Sequence, residues 1–176
     1  MKKYTLIILI TLFFNALFFN PVFAGEDKDL YSKGIECSRA KSVDFAFSYF
    51  DLIVRNYPDS KFFPDALFAV GEYYFLVNDT GPAAAAFNEL ISKYPGSGAV
   101  VFAFFYLAQI AERQKNDNLA KDLETRIVKA KTNFLIFKDF KEYRYKSALS
   151  KKYKARYFID RVEIFIDDKL GAKITF

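Results

Sequence analysis

From Pro64 to Ser97 the chain reads PDALFAVGEYYFLVNDTGPAAAAFNELISKYPGS, and the reading of this stretch decides the fold. Pro64 and Asp65 suit a first helical turn, where a missing N–H costs nothing and an acid meets the positive end of the helix dipole. A helix is therefore predicted from about Pro64 to Val77. Asn78 to Gly81 makes a turn, and Pro82 opens a second helix in which Ala83, Phe87, Leu90 and Ile91 recur at three- and four-residue spacings along one apolar face. Tyr94-Pro95-Gly96 stops it.

The pair of helices is repeated. A shift of 37 residues lays Ala46-Phe47-Ser48-Tyr49-Phe50 on Ala83-Ala84-Ala85-Ala86-Phe87, and Tyr57-Pro58-Asp59-Ser60 on Tyr94-Pro95-Gly96-Ser97. The same shift aligns three good helix-capping residues, Ser42, Asp79 and Asn116, and pairs Ala66 with Ala103 and Val70 with Leu107. Self-similarity at this spacing predicts a solenoid of stacked helix pairs, in which no pair can bury its apolar face alone.

The residues of the middle unit resemble the tetratricopeptide-repeat (TPR) family, whose consensus runs W-x2-L-G-x2-Y, then A-x3-F, then P. Leu67 stands for the tryptophan, followed at the family spacing by Val70, Gly71, Tyr74, Ala83, Phe87 and Pro95. The first unit keeps Leu30, Gly34, Ala46, Phe50 and Pro58, with Lys33 for the leucine and Cys37 for the tyrosine. The third keeps Phe104, Leu107, Ala108 for the glycine and Ala120, while Glu124 replaces the phenylalanine and Thr132 the proline. Its second helix is the least well marked and is expected to run past Asn133. Small residues at Gly34, Gly71 and Ala108 let paired helices approach, and Phe50 and Phe87 fill the gap. The Tyr-Pro-x-Ser turns with the inserted Lys61-Phe62-Phe63 are also similar to periplasmic envelope proteins of the BamD-like type, from the outer-membrane β-barrel assembly machine, and to the Tol-Pal-associated TPR protein.

The N-terminus reads as a secretory signal: Met1-Lys2-Lys3, an apolar run from about Leu6 to Phe19, a break at Asn20-Pro21, then Val22 and Ala24 before Gly25. Cleavage after Ala24 is expected, which places the protein in the periplasm or at the outer membrane. A retained membrane anchor is the alternative, against which Asn15, Asn20 and Pro21 argue. Cys37, the one cysteine, lies well inside the mature chain, so lipid attachment there is not expected, and a small apolar core residue is the simpler reading. Residues 25–133 form the repeat domain, with 13 basic and 15 acidic residues, and residues 134–176 form a basic tail with 11 and 6.

The sequence contains no histidine, and no nucleophile-elbow, P-loop or dinucleotide fingerprint, so a non-enzymatic protein without cofactor or metal is expected. The TPR resemblance implies a concave peptide-binding groove lined by the first helix of each repeat, here Tyr31, Phe68, Glu72, Phe75, Phe105, Gln109 and Glu112. Such a groove takes an extended or helical segment of another envelope protein by apolar anchors. The same aromatics could instead pack on the basic tail or on neighbouring repeats.

In that tail, aromatic and basic residues interleave from Phe134 to Tyr157. The expectation is a helix capping the open end of the solenoid with its charges in water, or docking on anionic lipid or an acidic partner. Export argues against nucleic acid. From Arg161 the period changes to two, with Val162, Ile164 and Ile166 alternating with polar or outward residues, a turn at Asp168-Lys169-Leu170-Gly171, then Ile174 and Phe176. This predicts a β-hairpin, either lying on the last helices or adding to a partner's sheet. Lys169, Gly171, Ile174 and Phe176 also resemble the closing-strand signal of outer-membrane β-barrels. The expected fold is thus mainly α, a TPR-like solenoid of about three repeats with a short C-terminal helix and a hairpin.

Overall fold

A computed structural model describes residues 25–130 and 141–176, so the signal-like segment and the stretch joining the repeats to the tail lie outside it. Six helices follow one another: α1 (Glu26–Arg39), α2 (Val43–Asn56), α3 (Phe63–Leu76), α4 (Thr80–Lys93), α5 (Val100–Arg113) and α6 (Asp117–Lys129). They pack as successive neighbours, as a three-repeat TPR solenoid requires. The two helices of the middle repeat begin slightly earlier than the sequence suggested, at Phe63 and Thr80, and α6 ends at Lys129. Among the described residues no helix is long and apolar enough to cross a membrane.

The turns inside the three repeats share one geometry. Lys41, Asn78 and Lys115, spaced at the repeat period, take positive φ values of 61°, 61° and 57°, which end the first helix of each pair in the left-handed conformation. Ser42, Asp79 and Asn116 follow as the N-caps, although only Asn116 accepts a backbone N–H through its side chain, from Leu119. Between repeats the serine of each Tyr-Pro-x-Ser turn works identically. Ser60 N–H donates to the Tyr57 carbonyl at 3.0 Å and Ser97 N–H to that of Tyr94 at 2.9 Å, and each Oγ accepts an N–H two residues on.

Packing explains the small residues. A methyl group on Gly34 would stand 2.6 Å from the Phe50 ring, and one on Gly71 2.6 Å from the Phe87 ring, so each glycine is the space its phenylalanine occupies. In the third repeat Glu124 replaces that ring, and Ala108 fits where glycine was needed before.

The tail is a four-stranded antiparallel meander, β1 (Lys141–Lys146), β2 (Lys152–Tyr157), β3 (Arg161–Ile166) and β4 (Lys169–Thr175), paired in the order β1-β2-β3-β4. This corrects the expected capping helix: Lys141–Lys146 and Lys152–Tyr157 are strands joined by a turn, and residues 134–140 fall outside the described part. The reason is periodicity. Tyr143 and Tyr145, and Tyr153, Ala155 and Tyr157, alternate one-for-one with cations, which puts the rings on one face of a strand and would scatter them around a helix. The hairpin from Arg161 forms as expected, with Val162 opposite Ile174. Its turn lies earlier than predicted, at Asp167-Asp168, where φ values of 48° and 63° make the tight two-residue connection that suits strand twist.

Candidate functional site

The first helices of the repeats, α1, α3 and α5, line the concave face where the sequence placed a partner groove. The sheet sits on that face. Its inner side is Tyr143, Tyr145, Tyr153, Ala155, Tyr157, Val162, Ile164 and Ile174, of which all but Tyr143 and Tyr145 are buried. Tyr153 meets the Phe68 ring edge-on at a centroid distance of 5.6 Å, with Tyr145 doing the same at 5.5 Å. Phe102 lies 4.9 Å from Tyr153. A single-layer sheet leaves its apolar face in water, and burying that face on the helices supplies the core it lacks.

The hydroxyls of Tyr143, Tyr145 and Tyr153, which point inward from β1 and the start of β2, each have a partner in the repeat array. Tyr143 donates to the Gly98 carbonyl at 3.0 Å and Tyr145 to Asp65 Oδ1 at 2.8 Å. Tyr153 donates to Glu72 Oε1, and the Tyr106 hydroxyl lies 2.6 Å from that of Tyr153. Because Tyr153 gives its proton to Glu72, Tyr106 is the donor in the second pair. Lys151 Nζ completes the group at 3.6 Å from Glu72 Oε1.

Glu72 is 0 % exposed. Burial pushes its carboxyl above the ordinary glutamate range, opposed by Lys151 and by the hydroxyls of Tyr153 and Ser147. Burial likewise raises the Tyr145, Tyr153 and Tyr106 hydroxyls, with Glu72 adding to each and Asp65 adding more than Glu72 at Tyr145. These are neutral phenols acting as hydrogen-bond donors, and the network they form joins sheet to groove.

The predicted groove residues therefore divide. Phe68, Glu72 and Phe105 are buried beneath the protein's own sheet and present no open binding surface in this conformation. Of the two readings open at sequence level, these three follow the one in which the groove packs against the tail. Tyr31 lies at the other end, stacked on Phe62 at 4.5 Å, its hydroxyl pushed up to about 12 by burial and by Asp65. Phe75 and Gln109 stay accessible along a cleft of about 390 Å³ between α3, α5 and the β3–β4 side of the sheet, and Glu112 is exposed outside its lining. There the Arg113 guanidinium lies 4.1 Å over the Phe75 ring, Gln109 donates to Glu112 at 2.9 Å, and Lys151 and Ile166 form the opposite wall. Sequence reasoning missed Tyr106, Tyr145, Lys151 and Tyr153. The alternation around Tyr143–Tyr145 and Tyr153–Tyr157 was the signal for the sheet residues, whereas Tyr106 carried none beyond its helical face.

Cys37 lies in the interior of α1, partly buried against the core, so its thiol is a packing group. No curated protein matches the chain. A family model described as YfiO, outer membrane lipoprotein, matches residues 24–166, spanning all three repeats and the sheet through β3.

Proposed function

The chain belongs to the YfiO family of outer membrane lipoproteins, and from that premise we propose that it is a non-catalytic adaptor of the cell envelope that holds a segment of another envelope protein in the cleft beside its sheet. The observation that carries this reading is the division of the concave face. Sheet and helices together leave a cleft with the accessible Phe75 ring as its floor and a polar rim, Gln109, Arg113 and Lys151. Its size suits one large apolar side chain, and the two cations at the rim suit a carboxylate on the same segment. A non-catalytic role is supported by the chemistry of the buried Glu72 cluster: Tyr153 donates to Glu72 Oε1, its hydroxyl is paired with that of Tyr106, and the sheet covers all three side chains.

The test is site-specific photocrosslinking in living cells, with the reactive residue at Gln109, at Phe68, or at Phe45 on the exposed outer side of α2. Capture of a defined envelope protein from Gln109 and not from Phe45 is expected. Equal capture from both positions, or none from Gln109, rejects the cleft. Capture from Phe68 as well means that the sheet leaves the groove when the partner arrives. For a captured partner, Phe75→Ala with Gln109→Ala should weaken binding by roughly tenfold or more, as truncation of a central aromatic anchor does.

A further inference from the structure

The side of the sheet that faces away from the helices has an arrangement its own stability does not call for. The register sets Arg144 opposite Lys154 and Lys146 opposite Lys152, two like-charged pairs in succession on one solvent-facing surface. Like charges directly opposite each other destabilise a strand pair, so this face holds positive potential at a cost to the sheet. Neutralisation is partial. Arg144 meets Glu142 and Lys154 meets Asp168, whereas among the described residues no carboxylate lies within ion-pair distance of Lys146 or Lys152. The four cations border a shallow cleft of about 580 Å³.

An apolar element lies on the same surface. Phe165 stands in register with Leu170, and Lys154 and Arg156 lie 5.0 and 5.2 Å over the Phe165 ring. Leu170 is 57 % exposed. Free cations and a protruding aliphatic side chain on one flat face are the two components of an interfacial membrane contact: phosphates attract the lysines, and the aliphatic group reaches the boundary of the acyl chains. An acidic protein segment would be met by the cations alone, with Leu170 left over.

We propose that the outward face of the C-terminal sheet docks on an anionic phospholipid surface, with Lys146 and Lys152 at the headgroup phosphates and Leu170 at the acyl boundary. The cleft lies on the helix-facing side of the sheet, outside this contact, and stays open to a partner while the sheet holds the protein against the membrane.

The chain has no tryptophan, so Leu170→Trp in the full chain is a single fluorescent reporter at the proposed contact. It is mixed with vesicles of phosphatidylethanolamine and phosphatidylglycerol carrying brominated acyl chains, and with brominated phosphatidylcholine vesicles. The expected result is a blue shift and bromine quenching with the anionic vesicles only, reversed as added salt shortens the Debye length from about 10 Å to about 3 Å. Lys146→Gln with Lys152→Gln, both exposed and outside the core, should weaken vesicle affinity, read from the quenching titration, about 30-fold, since each lysine near an anionic surface contributes about fivefold in affinity. Because the reporter senses this face alone, insertion of the apolar N-terminal segment does not mimic the result. Equal quenching in phosphatidylcholine, quenching unaffected by the lysine substitutions in protein with an unchanged circular dichroism spectrum, or no quenching beside a blue shift with polyglutamate would each overturn the proposal.

Discussion

In the helical array the decisive contacts are near in sequence: Gly71 receives Phe87, and Gly34 receives Phe50, each from the next helix. In the sheet they are remote, with Tyr145 reaching back 80 positions to Asp65 and Tyr153 reaching back 81 to Glu72. The array builds its core by repetition, each helix pair covering its neighbour's apolar face. The sheet has no second layer of its own and borrows one from the concave surface. A TPR groove is usually an invitation to a ligand. Here most of it is already spent, and the part that remains open is bounded on one side by the element that filled the rest.

This contrast can be broken most directly by removing one large ring from each region. Phe87→Ala should cost about 3–5 kcal/mol, read by urea unfolding, and should abolish hydrogen-exchange protection in helices and sheet together, because the sheet has no foundation without the array. Tyr153→Ala, which removes a ring of comparable size from the other side of the contact, should instead deprotect β1 to β4 while the helices remain protected. Simultaneous loss in both variants would mean that array and sheet are one cooperative unit. A smaller effect separates packing from backbone propensity within the array. Gly71→Ala should lose roughly 1–3 kcal/mol by driving a methyl into the Phe87 ring, whereas Gly81→Ala, with nothing within 4 Å of the added carbon, should gain about 0.5–1 kcal/mol through helix propensity.

The smallest effect sharpens the account of the contact itself. Glu72 holds its proton more tightly when folded than when unfolded, so its contribution to stability falls as pH rises from its ordinary value of 4.5 through the raised one. Glu72→Gln keeps an acceptor for Tyr153 and adds an N–H donor beside the buried Ser147 Oγ. Thermal melts should find the variant more stable than wild type at neutral pH, by on the order of 1 kcal/mol, with the difference shrinking as the solution is acidified. A gain that grows on acidification, or a loss at neutral pH, would mean that the Lys151–Glu72 pair outweighs the cost of burying the carboxylate.

The closed concave face changes what membership of the family can mean for this chain. Phe68 and Glu72, which the TPR resemblance marks as ligand contacts, serve here as the floor on which the sheet rests. Gln109 and Phe75 keep the position that the resemblance implies, because the cleft beside β3 and β4 leaves them accessible. The two surfaces proposed to act, the cleft and the outward cationic face, are both created by the sheet.

Much of this is legible in the sequence. The period of 37 residues, the Tyr-Pro-x-Ser turns and the glycine–phenylalanine pairs are local signals, each acting over a helix or two, and they determined the number, order and pairing of the helices. The alternation in Val162, Ile164 and Ile166 likewise marked the last hairpin. The strands at Tyr143–Tyr145 and Tyr153–Tyr157 carried the same alternation, but their lysines and arginines resemble those of an exposed helix in composition, and only the period distinguishes the two. What the sequence by itself could not determine is where the sheet would lie. That depends on many contacts across long separations, none favourable until all are made, and only the tertiary structure brings Tyr153 to Glu72 and thereby decides which half of the groove stays open.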